Sequence, residues 1–274
     1  MTKETFQQLF KYDLDKAGYV GVERESFVCL TPKYIVPESK VILEKLKGFK
    51  VDEKYPWGCI THTASPDAFG FELSACQIES RIGPCTLDKL REQLAINRLL
   101  LRRAAYECDL SIADIEIAPT DMPLDVYPDP TGRYQKITQD MPREVLLAAC
   151  RVAGTHVHIG MKDHESALRT YNYVIRHMSE LCEVGNGSFG ERLAIYKKMA
   201  PDYEPRPYAN WDEYYQYAVE KGFDTDPRKC WTLIRISVHG TIEFRMFGAT
   251  ESIDRIVAWA NRCHELCQMA MAEA

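Results

Sequence analysis

Three short segments of the chain alternate polar and apolar residues as one-sided β-strands do: GVERE (21–25), GTHVHIG (154–160) and GTIEFR (240–245). Side chains two positions apart in a strand point to the same face, and the residues between them point to the other. The polar pairs that share a face are Glu23 with Glu25, His156 with His158, and Glu243 with Arg245. The apolar residues between them predict that each strand is packed on its opposite side.

If these polar faces converge, they gather carboxylates and imidazoles at one place. The segment FGFELSACQIES (69–80) adds a further acidic pair, Glu72 and Glu79, which makes up to five carboxylates with one or two imidazoles. So many like charges need cations to neutralise them. The carboxylate excess favours Mg²⁺ or Mn²⁺ over structural Zn²⁺. Arg245 beside Glu243 indicates an anionic substrate group, such as a phosphoryl group in transfer.

The spacing alone also allows plainer interpretations of each pair. An acidic pair on a strand is often a solvated face, and Glu243 with Arg245 can be a same-face salt bridge. The pattern by itself therefore leaves a metal site and a set of ordinary surface residues both open.

The order of the predicted elements favours an α+β fold on a largely antiparallel sheet, because strands and helices do not alternate regularly. We expect one catalytic domain over residues 1–274, with the sheet forming a funnel and helices packed outside. Helices are predicted over 3–17, 40–47, 86–108, 163–184, 212–221 and 252–271. Strands are predicted over 19–30, 111–119, 154–160, 229–238 and 241–247, and a strand-like region broken by turns over 57–80.

The charge and apolarity of the chain exclude several classes of partner. The chain has 34 Lys and Arg against 40 Asp and Glu, a net charge of −6, so nucleic acid and anionic membranes are unsuitable partners. No apolar run approaches the ~18 residues of a membrane helix, and the N-terminus lacks the basic and apolar regions of a signal peptide. We expect a cytoplasmic protein with reduced cysteines, since the ten cysteines form no CxxC motif.

At these motifs the sequence resembles the glutamate–cysteine ligase type 2 and carboxylate–amine ligase family of the glutamine synthetase-like superfamily. The resemblance runs from about residue 18 to 262. The matching segments, in family order, are GVERE, ELSACQIE, the 86–108 helix, APTDMP with the Arg133–Tyr134 pair, GTHVHIG, GERLAIYKK, WTLIRIS and GTIEFR.

The resemblance implies a fold, a reaction and a set of site residues. The implied fold is an antiparallel sheet curved into a funnel that admits ATP at one end and an amino acid at the other. In the implied reaction a substrate carboxylate, plausibly that of glutamate, attacks the γ-phosphate of ATP, and an amine then displaces phosphate from the acyl phosphate. Two or three Mg²⁺ or Mn²⁺ ions would bind to Glu23, Glu25, Glu72, Glu79, His156 and Glu243. Arg245 and Arg235 would act in catalysis, and Arg192, Arg235, Arg245 and His158 would contact ATP or substrate.

The chain departs from the family in three respects. Arg24 stands where the family usually has an acidic residue, but this position points away from the metal face. Gly190 replaces the serine of the family's S-x-R pattern, which ends here at Arg192. The chain is also shorter than typical members, so the amine is not assigned. A homodimer is left open.

Three other functions remain as alternatives. A phosphotransferase on the same site would stop at the phosphorylated product, and a metal-dependent hydrolase would need no ATP. Hydrolase sites of this kind often use additional histidines, and the other histidines of this chain lie in unrelated sequence contexts. A non-catalytic binding protein would leave the acidic cluster without its metals, which is costly.

Overall fold

Every strand pair among the described residues is antiparallel. A computed structural model describes residues 1–31, 34–47 and 68–272. The strands of the described residues are β1 (Val20–Thr31), β2 (Tyr34–Ile35), β3 (Phe69–Phe71), β4 (Gln77–Cys85), β5 (Ser111–Ala113), β6 (Gly154–Gly160), β7 (Ile234–Ser237) and β8 (Thr241–Gly248). Six of them lie in the order β3-β4-β1-β6-β8-β7, and β2 and β5 also pair with β1. The sheet therefore places the three motif strands β1, β6 and β8 side by side.

Helices cover the sheet and close the ends of the fold. Within the described ranges they are α1 (Lys3–Gln7), α2 (Ser39–Lys47), α3 (Leu87–Tyr106), α4 (Arg133–Thr138), α5 (Arg143–Arg151), α6 (His164–Val174), α7 (Met178–Val184), α8 (Glu191–Met199), α9 (Trp211–Lys221) and α10 (Ile253–Ala272). None of these helices combines the length and the apolarity that crossing a bilayer requires. Helices α6 and α10 pack on one another, and α10 also contacts α3 and β6.

The apolar side chains of the motif strands form the main core. Val157 and Ile159 of β6 and Ile242 and Phe244 of β8 are completely buried in one cluster with α6 and α10. Burial of each such side chain contributes roughly 1.5–3 kcal/mol. Because alternate residues of a strand point to opposite faces, the polar residues between them are directed to the other side of the sheet.

The strand register brings the polar residues of different motifs next to one another. Glu23 pairs with His156, and Glu25 pairs with Glu79. His158 pairs with Glu243, which also pairs with Arg235. The register therefore forms a continuous row of acidic, histidine and arginine side chains across five strands.

A bulge in β8 adjusts this register near Arg245. Thr155 pairs with Phe247 while Val157 pairs with Phe244, so Arg245 and Met246 together oppose one residue of β6. The extra residue lets Phe247 return to the helix-covered face, where its ring stacks on Trp259 of α10 at 4.9 Å. Arg245 stays on the cavity face.

The strongest sequence predictions are confirmed. The predicted strand 154–160 coincides with β6, and the predicted helices 40–47, 86–108, 212–221 and 252–271 end within two residues of α2, α3, α9 and α10. The predicted strands 229–238 and 241–247 pair with one another as β7 and β8, although β7 covers only the last part of the first. The part of 57–80 before residue 68 lies outside the described residues.

Other element predictions are confirmed only in part. The helix over 3–17 ends at Gln7, because the backbone N–H of Lys11 bonds to Val238 in the β7–β8 turn and the segment runs across the sheet end instead. The helix over 163–184 is broken by a 3₁₀ turn at Ile175–His177. The strand over 111–119 is only three residues long. Helices α4, α5 and α8 were not predicted.

Candidate functional site

A cavity of about 1360 Å³ lies on the sheet face opposite α6 and α10. Its floor carries every site residue predicted from the motifs: Glu23, Glu25, Glu72, Glu79, His156, His158, Arg192, Arg235, Glu243 and Arg245. Its walls come from α4, α5, α8, residues 227–231 and the segment 11–19. The structure thus brings the whole predicted set together in one cavity.

Glu23, His158 and Glu243 form the tightest group in the cavity. One ligand atom from each lies within 4.8 Å of the others, a spacing that suits a single metal ion. Nδ1 of His158 lies 2.8 Å from Oγ1 of Thr241, which fixes the ring. Nε2 is buried and lies 3.5 Å from Oε2 of Glu23, and no other described residue bonds to it. An imidazole nitrogen beside two carboxylates fits a divalent cation such as Mn²⁺ or Mg²⁺.

His156 is more fully engaged by carboxylates than His158. Its Nδ1 lies 3.2 Å from Oε2 of Glu23 and 3.8 Å from Oε1 of Glu243, and its Nε2 lies 3.7 Å from Oε1 of Glu25. Glu25 is held in turn by the backbone N–H of Gly154 at 2.6 Å. The geometry therefore favours His158 as the metal-binding histidine, whereas the family resemblance implies His156. Both assignments stay predictions.

Glu243 lies between two arginines at the centre of the floor. Nε of Arg235 donates to its Oε2 at 2.7 Å, and Nη1 of Arg245 donates to its Oε1 at 2.5 Å. Burial raises the pKa of Glu243, but the charges of Arg235 and Arg245 outweigh burial and lower the pKa below its ordinary value. Glu243 is therefore ionised at neutral pH, as a metal ligand must be.

Arg245 is itself positioned by aromatic residues. Its guanidinium lies 5.5 Å from the ring centre of Trp231, within the range of a cation–π contact. The hydroxyl of Tyr196 donates to the Trp231 carbonyl at 2.8 Å, and against the effect of burial the Tyr196 side chain helps to raise the pKa of Arg245. Nε of Arg245 is buried, and none of the described residues accepts its hydrogen bond. One donor therefore remains for an anionic ligand.

The protonation of Glu23 and His158 is linked. Burial acts against ionisation of Glu23, but the charge of His158 and hydrogen bonds to both histidines bring its pKa well below the usual range. Burial lowers the pKa of His158, and the carboxylates of Glu23 and Glu243 outweigh this and raise it above the usual value. His158 therefore gains a proton more readily in this site than in water.

Glu72 and Glu79 form a second acidic corner of the cavity. Burial and the charges of Glu79, Glu25 and Glu23 raise the pKa of Glu72 well above its ordinary value. Burial and the charge of Glu23 also raise the pKa of Glu79. Such a corner is stable only with protons or cations.

Arg192 and Arg24 have structural contacts. Arg192 is 3% exposed and donates to the backbone carbonyls of Ala153, Met246 and Arg245, so it ties the ends of β6 and β8 together. These bonds differ from the phosphate contact that the resemblance implies, which stays a prediction. Arg24 pairs with the buried Asp114 at 3.3 Å, away from the cavity as expected.

Several cavity residues lie outside the set predicted from the motifs. Thr241 and Arg81 follow the same two-residue spacing as the predicted set, being two positions from Glu243 and Glu79, and the spacing rule could have found both. Trp231 lies in the predicted strand 229–238, four residues before Arg235, so the same spacing places it on the face of Arg235. Tyr196 lies on a segment without strand periodicity, so no pattern indicates it.

Comparison with other sequences identifies relatives of one kind. A Solibacter usitatus protein named "Putative glutamate--cysteine ligase 2" is 25% identical over 214 residues, which cover 71% of this chain and 54% of that protein. A protein of the same name from Thermobifida fusca is 24% identical over 275 residues, covering 94% of this chain and 66% of its own length. The chain thus spans about half the length of the first relative. No family profile matches the chain.

Comparison with solved structures gives the fold. The chain matches a bifunctional glutathione synthetase from Pasteurella multocida with a TM-score of 0.57 at 14% identity, over 98% of this chain and 42% of that one. The sequence comparison therefore confirms the resemblance to the glutamate–cysteine ligase type 2 and carboxylate–amine ligase family, and the structural comparison confirms the α+β fold.

Proposed function

We propose that the chain is an ATP-dependent carboxylate–amine ligase that requires divalent metal ions. The observation that carries the proposal is the convergence of Glu23, His158 and Glu243 with two arginines on one cavity floor. The cluster combines ligands for a hard cation with guanidinium donors for phosphate oxygens. The names of the relatives suggest glutamate and cysteine as the first substrates to test.

Glu23, Glu243 and His158 would hold the metal, with His156, Glu25, Glu72 and Glu79 as further predicted ligands. Bound Mg²⁺ or Mn²⁺ would supply positive charge to the phosphate oxygens of ATP. The number of ions, predicted as two or three, is part of the proposal.

Arg235 and Arg245 would bind the phosphoryl group as it moves. Phosphoryl transfer depends mainly on positioning and on neutralisation of charge, and the protein supplies little covalent help. Arg235 is anchored by the carbonyls of Arg228 and Cys230, and Arg245 by Glu243 and Trp231. Both guanidinium groups are therefore held in place before ATP binds, which reduces the cost of ordering them.

The proposed reaction has two balanced steps. An oxygen of the substrate carboxylate attacks the γ-phosphorus of ATP, the bond to the β–γ bridging oxygen breaks, and ADP leaves. The amine nitrogen then attacks the acyl carbon, phosphate leaves with the oxygen gained from the carboxylate, and the amine loses a proton.

The test is the release of ADP by the purified chain with Mg²⁺ or Mn²⁺. A panel of amino acids is combined with a panel of amines, beginning with glutamate and cysteine. The proposal expects ADP release that needs the metal and an amino acid and that rises with the correct amine. ADP release at the same rate without any amine, with a stable phosphorylated product, would identify a phosphotransferase instead. Hydrolysis of a substrate without ATP would identify a metal-dependent hydrolase.

A further inference from the structure

Arg81 is a cation inside the acidic corner of the cavity. It lies two residues after Glu79 on β4, on the same face, and its Cα pairs with that of Glu23 on β1. Its Nε donates to the carboxylate of Glu79. The Arg81 side chain is 44% exposed and that of Glu79 only 10%, so the guanidinium lies between this carboxylate and the open cavity.

The backbone of β3 leaves room for this guanidinium. Gly70 pairs with Glu79 across the β3–β4 ladder. A Cβ atom at position 70 would overlap Nη2 of Arg81 and come within 2.8 Å of Cζ. A glycine here therefore lets the guanidinium lie against the strand while it binds Glu79.

Positive charge from the protein is distributed over both acidic parts of the cavity floor. Glu243 has Arg235 and Arg245 as partners. In the acidic corner Arg81 attracts Glu79 first, and also Glu23 and Glu72. A divalent ion at Glu79 would face the fixed positive charge of Arg81 at short range. Arg235 and Arg245 also repel an ion at Glu243, but there Glu23 and His158 add two more ligand atoms within 4.8 Å, and among the described residues no such group includes Glu72 or Glu79.

We propose that Arg81 takes the place of one divalent ion in this site. The guanidinium neutralises the Glu72–Glu79 corner, and metal binds at Glu23, His158 and Glu243. The inference rests on the proposed metal-dependent function and deepens it, because it predicts that the chain binds one ion fewer than its carboxylates could hold. Arg81 then determines the number of ions, whereas the cluster around Glu243 determines whether metal binds at all.

The number of bound Mn²⁺ ions tests this inference without any turnover. Free Mn²⁺ is measured by electron paramagnetic resonance during titration of the purified chain without nucleotide. Arg81→Ala is expected to bind one more Mn²⁺ than the wild type, and Glu79→Gln added to Arg81→Ala is expected to remove that additional ion. Arg133→Ala is the matched control, since Arg133 lines the same cavity without an ion pair to Glu79.

Gly70→Ala provides a second variant that keeps the arginine. The added methyl group displaces the guanidinium from Glu79, and one additional ion is expected here as well. Wild-type stoichiometry and affinity in both Arg81→Ala and Gly70→Ala would overturn the inference, as would a loss of ions in Arg81→Ala. Failure of the proposed metal site gives a different result: Mn²⁺ binding to the wild type that Glu23→Gln leaves unchanged.

Discussion

The change Glu243→Gln is expected to destabilise the protein strongly in the absence of metal. Glu243 is completely buried and accepts hydrogen bonds from Arg235 at 2.7 Å and from Arg245 at 2.5 Å. Glutamine keeps the shape of the side chain but removes the negative charge. Arginine cannot lose its proton in a protein, so two buried cations would be left without a counter-charge.

Loss of one partner from a buried ion pair costs about 3–5 kcal/mol. For a protein of this size, 1 kcal/mol shifts the midpoint of thermal unfolding by about 2–4 °C, so the variant should melt roughly 6–20 °C lower. The assay is urea unfolding followed by circular dichroism in the presence of a chelator, with thermal unfolding as a second readout.

Glu23→Gln is the matched control for this prediction. The neighbours of Glu23 are histidines, which can release a proton when the carboxylate is lost, so a change within about 1 kcal/mol is expected. Because the folded pKa of Glu243 is lowered, its stabilisation is present above the unfolded pKa near 4.5 and is lost only as the pH falls towards the folded pKa. A free energy of unfolding for Glu243→Gln within 1 kcal/mol of the wild type at pH 7 would refute the reasoning.

Three other changes test separate parts of the site. The raised pKa of His158 predicts that Mn²⁺ binding weakens as the pH falls through that pKa, because the proton and the metal compete for Nε2. Below the pKa the affinity for Mn²⁺ should fall about tenfold per pH unit. In a titration from pH 8 to pH 6, His158→Asn should flatten this dependence. Tyr196→Phe removes the hydroxyl that binds the carbonyl of Trp231, whose ring lies against Arg245, and should lower kcat about tenfold with little change in the KM for ATP. A larger effect on KM than on kcat would contradict the positioning role. Gly160→Ala places a methyl group against the carbonyl oxygen of Lys16 and should lower the free energy of unfolding by about 2 kcal/mol or more, measured by thermal unfolding. Gly21→Ala is the control: its added methyl group has contacts of 3.5 Å and longer, and it should lower the free energy of unfolding by less than half as much.

Much of the floor of the site follows from the sequence because strand periodicity is a local property. The two-residue spacing in GVERE, GTHVHIG and GTIEFR places each pair on one face without knowledge of the strand order. The structure adds the register, which joins Glu23 to His156 and His158 to Glu243. The resemblance supplied the expectation that the three strands converge, which local spacing cannot give.

The walls of the cavity were harder to predict. Helix α4 has six residues and follows a proline-rich loop, and it begins after Gly132 in a left-handed conformation, so its sequence carries little helical periodicity. The segment 11–19 follows a path set by hydrogen bonds to Val238 and Gly160, which are distant in sequence. Such contacts depend on tertiary structure and leave no local pattern.

The preference between the two histidines also depends on contacts between strands. Both histidines of GTHVHIG share a face, and the spacing does not distinguish them. Thr241 at the start of β8 binds Nδ1 of His158 and leaves Nε2 facing Glu23 at 3.5 Å, whereas the two ring nitrogens of His156 lie close to three carboxylates. The distinction is therefore made by a neighbouring strand.

Transfer of a carboxylate oxygen to phosphate tests the proposed ligase most directly. The chain is incubated with ATP, Mg²⁺, an amine and glutamate labelled with ¹⁸O in its carboxylates, and the released phosphate is analysed by mass spectrometry. The proposal predicts one ¹⁸O atom in each phosphate and none when the metal is removed. Unlabelled phosphate, released at the same rate together with an amide product, would contradict the acyl phosphate. In a parallel reaction with unlabelled glutamate in ¹⁸O water, labelled phosphate would show hydrolysis of ATP instead.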